Sequence, residues 1–533
     1  MASRFLPPAY HVMTRLSHSA AMMRPRTLGL FYAQQWPAQP LRPQFRPQTQ
    51  SIARRTLTTT ATLGDTESPP SSRSRSEPPD HRRLGAQQKL FTTSIYSPGS
   101  PLLLPHGKRV ANRLVEFLRR QYVRYGFDEV DTPTIYKKSL WAKSGHLENY
   151  ADDMFSVTSN PRRTSCCGGA EDGAEEDEGD YGLKPMNCPG HCLIFASEAR
   201  SYHDLPIRYA DFSPLHRNEV SGALSGLTRV RRFHQDDGHI FCRPSQVEAE
   251  IRRTLGFVRF VYSVLRLGVS YRLVLSTRPA DHFIGALEDW DRAEAALKRA
   301  LDASGQEWSI NEGDGAFYGP KIDIVIKDSD GKEHQTATVQ LDFQLPKRFE
   351  LKYDAPAPEL EARGETTSDP AQLATVGPVT PVLIHRAVLG SVERLMALLI
   401  ERYDGAWPFW LNPRQAVILT VNNAPETLAW ARRVRNVLEG HDGEEGLESG
   451  AVADGMRQPN GLMVDLDERA ITMGRKKALA DEKGYGLIVT VGAKEAAAGT
   501  VSVSGPSLEG GGRKVMTPEE LLSMMQKLVE TFQ

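Results

Sequence analysis

Residues 183–195 read LKPMNCPGHCLIF, with Cys188 in an otherwise apolar run and His191 and Cys192 three and four residues on. That spacing suits a short zinc motif, because thiolate sulfur and imidazole nitrogen are donors Zn²⁺ prefers. It also describes a thiol buried in a core, and the stretch alone leaves both readings open. A second stretch, TRVRRFHQDDGHIFC (228–242), offers more. Drawn out as a strand, it points Arg229, Arg231, Phe233, Gln235, Asp237, His239 and Phe241 one way, ~6.6 Å apart. A cation, an aromatic plane, an amide, a carboxylate and an imidazole in a row could take a phosphate, a flat base, a small polar group and a metal in that order. The opposite face, Arg232, His234, Asp236, Ile240 and Cys242, is no more apolar, so a two-sided polar strand near a sheet edge fits as well.

Two further pieces carry charge in suggestive places. Arg217 and Glu219 stand at i and i+2 before a Gly/Ser loop; the arginine suits a phosphate and the carboxylate an exocyclic amine, although isolated pairs at turns are usually plain surface charges. In PVLIHRAVLGSVERLMALLIERY, His385 ends an apolar strand. Val388, Leu389, Val392, Leu395, Met396 and Leu399 then predict an apolar helix stripe. Arg394 has Gly390, Ser391, Ala397 and Leu398 at three and four residues' distance, so no helical ion-pair partner, and stands ready for an external anion.

These residues need elements to hold them. HGKRVANRLVEFLRRQYVRYGF places Val110, Leu114, Phe117, Leu118 and Tyr122 on one helical face and runs into the extended DEVDTPTIY with Pro133. SYRLVLSTRP and KIDIVIKD read as strands, and the turn SDGK returns the chain along HQTATVQLDFQLP as an antiparallel hairpin. In that return strand Ala337, Val339, Leu341 and Phe343 share one face; Thr338, Gln340, Asp342 and Gln344, with Gln335, form the wet or binding one. From Leu411 onward strand and helix alternate, predicting a small separate α/β domain. Arg432, Arg433 and Arg435 on its first helix form a basic cluster, which suits either an RNA contact or a solvated face. Segments 162–180 (Gly-rich, acidic, containing Cys166–Cys167) and 355–372 (polar, Pro-rich) read as disordered insertions.

At 533 residues the chain has room for two or three domains, and its net charge of −1 advertises no global nucleic-acid field. Five cysteines do not make a secreted disulfide framework, and no apolar run approaches the ~20 residues of a membrane span. Residues 1–64 are rich in Arg, Ser, Thr, Gln and Pro and contain no Asp or Glu, the signature of an organelle transit peptide, here a mitochondrial one. Residues 65–85 continue as a disordered Ser/Pro/Arg linker.

FDEVDTPTIY, LHRNE…RRFHQDD and LGSVERL are similar to motifs 1, 2 and 3 of class II aminoacyl-tRNA synthetases. SGHLENYADDMF, LKPMNCPGH, QDDGHIFC, STRPADHFIG…WDRAE, GAFYGPKIDI, TVQLDFQLP and VLIHRAVLGS together resemble the threonyl-tRNA synthetase family, from about residue 86 to 533. The resemblance implies an α/β fold class: an α+β catalytic domain on an antiparallel sheet (86–408), then an α/β anticodon-binding domain (409–533). It implies a catalytic zinc on Cys188, His239 and His385, with His191 and Cys192 outside the ligand set, the metal binding the substrate's α-amine and hydroxyl. Arg217 would hold the α-phosphate, Glu219 the adenine amine, Phe233 the adenine ring, and Arg229 and Arg394 the γ-phosphate, with Gln335 at the ATP site and Lys321 nearby. Asp237 would accept the threonine hydroxyl in a pocket lined by Gln235, Tyr318 and Gln340, and His146 would assist proton transfer at the terminal ribose. Implied cofactors and partners are Zn²⁺, Mg²⁺, ATP, L-threonine, tRNA(Thr) and a second copy of the chain, in the mitochondrial matrix, with no membrane. No segment long enough for a serine-editing domain precedes the core, so the resemblance also implies serine activation without editing in cis.

Overall fold

The computed structural model describes residues 78–158, 180–267, 271–281, 283–440 and 460–533. The transit-like segment, most of the linker and the acidic insertion except Asp180 lie outside these. Among the described residues no helix is long and apolar enough to cross a membrane.

A long helix, α1 (Pro105–Tyr125), begins with Pro105 and stops at Gly126, whose φ of 74° caps it in the left-handed region. It buries the expected Val110, Leu114, Phe117, Leu118 and Tyr122. The large sheet that it covers takes strands β1 (Asp128–Glu129), β2 (Ile207–Asp211), β3 (Pro214–His216) and β4 (Arg232–Cys242). Further along come β5 (Tyr271–Ser276), β6 (Trp308–Asn311), β7 (Lys321–Lys327), β8 (Glu333–Asp342) and β9 (Val382–Ser391). The spatial order is β6-β5-β7-β8-β9-β4-β2-β1, with β3 paired to β4 beside that path. All pairings are antiparallel except β5 with β6 and β1 with β2.

Strand β4 is therefore central, flanked by β9 and β2, and the sheet-edge alternative for 228–242 is overturned. From Asp236 onward its far face is buried. Asp236 there accepts from the N–H groups of Val388 (2.7 Å) and Leu389 (2.8 Å) and from the Tyr122 hydroxyl (2.9 Å). Arg386 lies across Gly238, with its guanidinium 4.1 Å from the Phe127 ring centroid and 4.5 Å from that of Tyr122. A Cβ at position 238 would stand 2.8 Å from Arg386 Nε, so glycine is required there by close approach.

The hairpin β7–β8 forms as expected, with one addition. A bulge at the Ile324/Val325 step inserts an extra residue in β8, because Ala337 pairs with Ile324 while Gln335 pairs with Val325. Odd-numbered Gln335 thereby joins even-numbered Thr338 and Gln340 on the binding face. The helix expected from Val388 begins later. Val388 and Leu389 belong to β9, and helix α2 runs Val392–Arg402, capped by the Ser391 side chain on the Arg394 N–H.

Two stretches expected to be disordered are ordered. Residues His81–Gln87 form a helix capped by Asp80, with the His81 ring held between Glu401 Oε1 (2.7 Å) and the Leu227 N–H (3.3 Å). The Pro-rich 355–372 stretch is enclosed by an antiparallel pair, Tyr353–Pro356 with Val376–Val379, and carries a helix over Pro358–Arg363. Its anchor is buried Glu361, which accepts from Arg243 Nε and Nη2 at 2.6 Å each and from the Tyr353 hydroxyl at 2.7 Å.

The C-terminal sheet has the order Val464–Asp467, Ala416–Thr420, Leu487–Val491, Val501–Ser504, Lys514–Met516, with the first three strands parallel. It has its own core, in which Ile418, Val434, Val489 and Met525 take part. Arg432 pairs with Glu468 at 3.0 Å and Arg435 with Glu439 at 2.9 Å, so two of the three clustered arginines have carboxylate partners within the chain.

Burial pushes the Glu361 carboxyl up, but hydrogen bonds from Arg243 and Tyr353 outweigh it and hold the group below the ordinary glutamate value of 4.5. A depressed acid stabilises the fold above its unfolded value and loses that contribution as pH falls. Glu361→Gln should therefore cost about 3 kcal/mol at pH 7. In thermal melts the gap between wild type and variant should shrink progressively below pH 4.5; an unchanged gap would remove the ion pair as the anchor.

Candidate active site

The strand register writes a grid. Lys321 pairs with Gln340, Gln340 with His385 and His385 with His239, so one row crosses four strands. A second row, one pleat repeat away, runs Asp323, Thr338, Ala387, Asp237 and Asp211. Above the face shared by His239 and His385 opens a cleft of about 390 Å³. Its walls include Arg217, Glu219, Arg229, Phe233, Gln235, Asp237, Tyr318, Lys321, Gln335, Gln340 and Arg394, together with Cys188, His239 and His385. Of the row expected along 228–242, Arg231 and Phe241 leave it. Regular pairing begins only at Arg232, and Arg231 turns away to the Glu219 carbonyl (2.9 Å). Phe241 stacks on Phe195 in a separate apolar cluster, centroids 4.6 Å apart.

At one end three arginines converge. The Arg217 guanidinium sits 5.1 Å from the Phe233 ring centroid, covering the aromatic plane. Arg229 pairs with Glu219 at 2.7 Å. Arg394 donates to the Thr228 carbonyl (2.9 Å) and the Gln335 carbonyl (2.7 Å). Burial, then the neighbouring Arg217 and Arg229, push its pKa down, so an anion placed there relieves both desolvation and repulsion. Gly390 keeps this corner closed. It has φ of 66°, and a Cβ would fall 1.8 Å from the Thr336 carbonyl oxygen, so the close approach at this glycine is made by strand β8.

At the other end Cys188, His239 and His385, all buried, bring one donor atom each to within 4.8 Å of the others. The helix Cys188–Ala196 starts on Cys188, a place where the dipole favours a thiolate. Burial pushes the thiol well above its ordinary value and His239 well below its own. The outer nitrogens of both histidines are held. His385 Nε2 lies 2.9 Å from Asp342 Oδ2 and His239 Nδ1 lies 2.8 Å from His191 Nδ1. One soft and two imidazole donors, oriented from behind and open to the cleft, fit a catalytic zinc. Cys192 is fully buried among Phe195 and Leu383 and is outside the donor group.

Between the two ends, Asp237 is pushed up by burial and receives the Asn187 amide at 3.1 Å. The Tyr318 hydroxyl donates to Gln340 Oε1 at 2.5 Å. Lys321 Nζ and Gln335 Nε2 both meet Asp323, each at 2.5 Å. Asp323 and Asn187 were not picked out from sequence; the adjacency of Asn187 to Cys188 and the period-two pairing of Asp323 with Lys321 were the available signals. His146 is fully buried and does not line the cleft; burial pushes it down to about 3. Its Nδ1 meets Ser144 Oγ at 2.8 Å, and its Nε2 lies 3.3 Å from the Met186 sulfur and 3.8 Å from Cys188 Sγ.

The largely antiparallel sheet and its arginine-lined cleft have the architecture of a class II aminoacyl-tRNA synthetase core. The family description "tRNA synthetase class II core domain (G, H, P, S and T)" matches residues 171–362, and "Anticodon binding domain" matches 415–528. A Schizosaccharomyces pombe protein described as a probable mitochondrial threonine–tRNA ligase is 49% identical over 80% of this chain and 84% of its own length. The mitochondrial threonine–tRNA ligase of Saccharomyces cerevisiae is 47% identical over 77% of this chain and 83% of its own length. The crystal structure of the RNA binding domain of threonyl-tRNA synthetase from Cryptosporidium parvum Iowa II superposes with a TM-score of 0.69 at 40% identity, covering 84% of this chain and 98% of that one. The chain belongs to the threonine–tRNA ligase family.

Gly390→Ala forces both a left-handed backbone and a clash with Thr336, and should cost about 2–5 kcal/mol. A melting temperature unchanged from wild type would show that the β9–α2 junction is not held by this approach.

Proposed function

We propose that the chain activates L-threonine with ATP and transfers it to the 3′ end of tRNA(Thr) in the mitochondrial matrix. The observation that carries this reading is the single cleft joining an arginine-lined end to a Cys188/His239/His385 group, in a chain whose fungal relatives are mitochondrial threonine–tRNA ligases. A homodimer, with α1 at the contact, completes the proposal.

Arg217 would grip the α-phosphate, and Arg229 and Arg394 the γ-phosphate, where developing charge on the leaving pyrophosphate needs cations. Mg²⁺ would share that charge. For adenine to stack on Phe233, Arg217 must swing off the ring it now covers, which ties adenine seating to phosphate capture; Glu219 and Gln335 complete the ATP site. The threonine carboxylate then attacks the α-phosphorus in line, forming the threonyl-adenylate and releasing pyrophosphate. Cys188, His239 and His385 would hold Zn²⁺, which supplies a Lewis-acid site for the amine and hydroxyl of the amino acid. Asp237 accepts the hydroxyl proton's hydrogen bond, and Gln235, Tyr318 and Gln340 close the pocket around the methyl and carboxylate; Lys321 is held beside it by Asp323. In the second step the terminal ribose hydroxyl attacks the adenylate carbonyl, the aminoacyl ester forms, and the acyl–phosphate bond breaks to release AMP. His146 Nε2 faces the Met186 sulfur at 3.3 Å, so access to that hydroxyl would require Met186 to move aside.

Amino-acid-dependent ATP–pyrophosphate exchange tests the reading. Threonine should support exchange, serine should be about 10–200-fold poorer for want of one methyl, and valine about 10⁴-fold poorer because it leaves buried polar groups unpaired. Arg217→Ala or Arg394→Ala should lower kcat about 10²–10³-fold. Exchange with proline alone would move the chain to a sister specificity, and no exchange by folded, zinc-loaded protein would end the proposal. For His146, alanine substitution should slow single-turnover transfer about 10²-fold while leaving exchange intact; unchanged transfer would take it out of the mechanism.

A further inference from the structure

His191 is fully buried, sits one helical turn beyond Cys188, and has no role in the chemistry above. Its surroundings are ordered in one direction. Asp211, also fully buried, accepts from the Thr132 hydroxyl at 2.6 Å and the Ser213 N–H at 2.7 Å, with the Lys184 ammonium 3.8 Å away. A carboxylate so surrounded is an acceptor only. Facing it at 3.6 Å is His191 Nε2, which has no nearer partner. The arrangement is favourable only if Nε2 carries the proton, which leaves His191 Nδ1 with a lone pair. That lone pair meets His239 Nδ1 at 2.8 Å, with the rings nearly perpendicular at 89°. Two nitrogens at that distance share one proton, so His239 Nδ1 must supply it. The remaining nitrogen of His239, Nε2, is then stripped of hydrogen, and it is the atom 2.9 Å from His385 Nδ1 in the donor group. Asp342, held by the Gln344 and Leu345 N–H groups, does the same for His385 in a single step.

We infer that the Asp211–His191 pair is a positioning device that sets the tautomer and ring orientation of His239, so that its Nε2 lone pair is presented to the metal. The inference rests on Cys188, His239 and His385 being the zinc ligands. It assigns a task to a histidine that neither binds metal nor touches substrate, and it explains why Lys184 is buried beside Asp211: the ammonium keeps the carboxylate an acceptor. Thr132, in the irregular segment between β1 and Ile135, joins the same network, so the zinc end of the cleft is braced from the chain that leaves the long helix.

The test is zinc retention by the full chain, measured as metal per chain and as the rate of release to a chelator, with cobalt(II) replacement read by its visible ligand-field bands. Wild type should hold one zinc. His191→Phe keeps the ring volume and removes both nitrogens; it should bind zinc about 10–100-fold more weakly and shift the cobalt bands. His191→Asn, which restores an acceptor toward His239 and a donor toward Asp211, should recover much of the loss. Cys192→Ala removes an equally buried side chain of the same helix outside the relay, and should release zinc as wild type does. Should His191→Phe fail to fold, Asp211→Asn, which offers a donor where the relay needs an acceptor, should weaken zinc by a similar factor. Wild-type retention in both His191→Phe and Asp211→Asn would overturn the inference while leaving the ligand assignment intact. Wild-type protein with no zinc and no cobalt spectrum would overturn the ligand assignment itself.

Discussion

The antiparallel register between β4 and β9 is the constraint on which the rest depends. It places His239 directly opposite His385, and because side chains alternate, a slip of one residue would turn one histidine through the sheet. The register is held from the far face. Asp236 of β4 takes two backbone N–H groups of β9, and Arg386 of β9 lies over Gly238 of β4 inside a box of aromatic rings. The polar residues that make this strand look two-sided are thus a lock between neighbouring strands. Removing one partner would leave the other buried and unpaired, which is far costlier than never burying either.

From that register the division of the cleft follows. Residues along one strand are spaced by the pleat, and residues across strands by the sheet spacing, so chemistry is laid out in two dimensions. Along β4, Phe233, Gln235, Asp237 and His239 step from the arginine end to the Cys/His end. Across it, Gln340 and Lys321 extend the histidine row. Loops add the pieces that strands cannot: Arg217 beyond β3, and Tyr318 ahead of β7. The bulge in β8 brings Gln335 into line, and Gly390 lets β9 turn tightly into the helix that carries Arg394. Each irregularity in an otherwise regular sheet serves one side chain of the cleft.

Burial also sets the electrostatics. Arg394 is held short of its ordinary basicity by desolvation and by two other arginines; Cys188 and Asp237 are pushed towards their neutral forms. The two ends of the cleft therefore call for ligands of opposite character, phosphates where cations crowd and a metal cation where a thiol and two imidazoles meet. That complementarity is why an extended, two-ended substrate suits the site better than a compact one.

By itself the sequence determined the elements whose periods are long or strict: the 21-residue helix over Pro105–Tyr125, the hairpin around SDGK, and the strand–helix alternation after Leu411. It also determined which residues could do chemistry, because Arg217, Phe233, Gln235, Asp237, Arg394 and the Cys/His group sit in ordered motifs, and all of them line one cleft. Composition misled where a local clamp outweighed it: the Pro-rich 355–372 stretch is ordered by one buried carboxylate, and the end of the Arg-rich linker by one buried histidine. Helical periodicity misled at Val388 and Leu389, since an apolar run buried on both faces of a central strand reads like a buried helix. Only the tertiary structure decided what lies opposite what. That Asp342 backs His385 follows from two strands meeting in one register, while Asp211 behind His191 and Met186 beside His146 depend on helices and loops packed onto that sheet; no local pattern records such meetings.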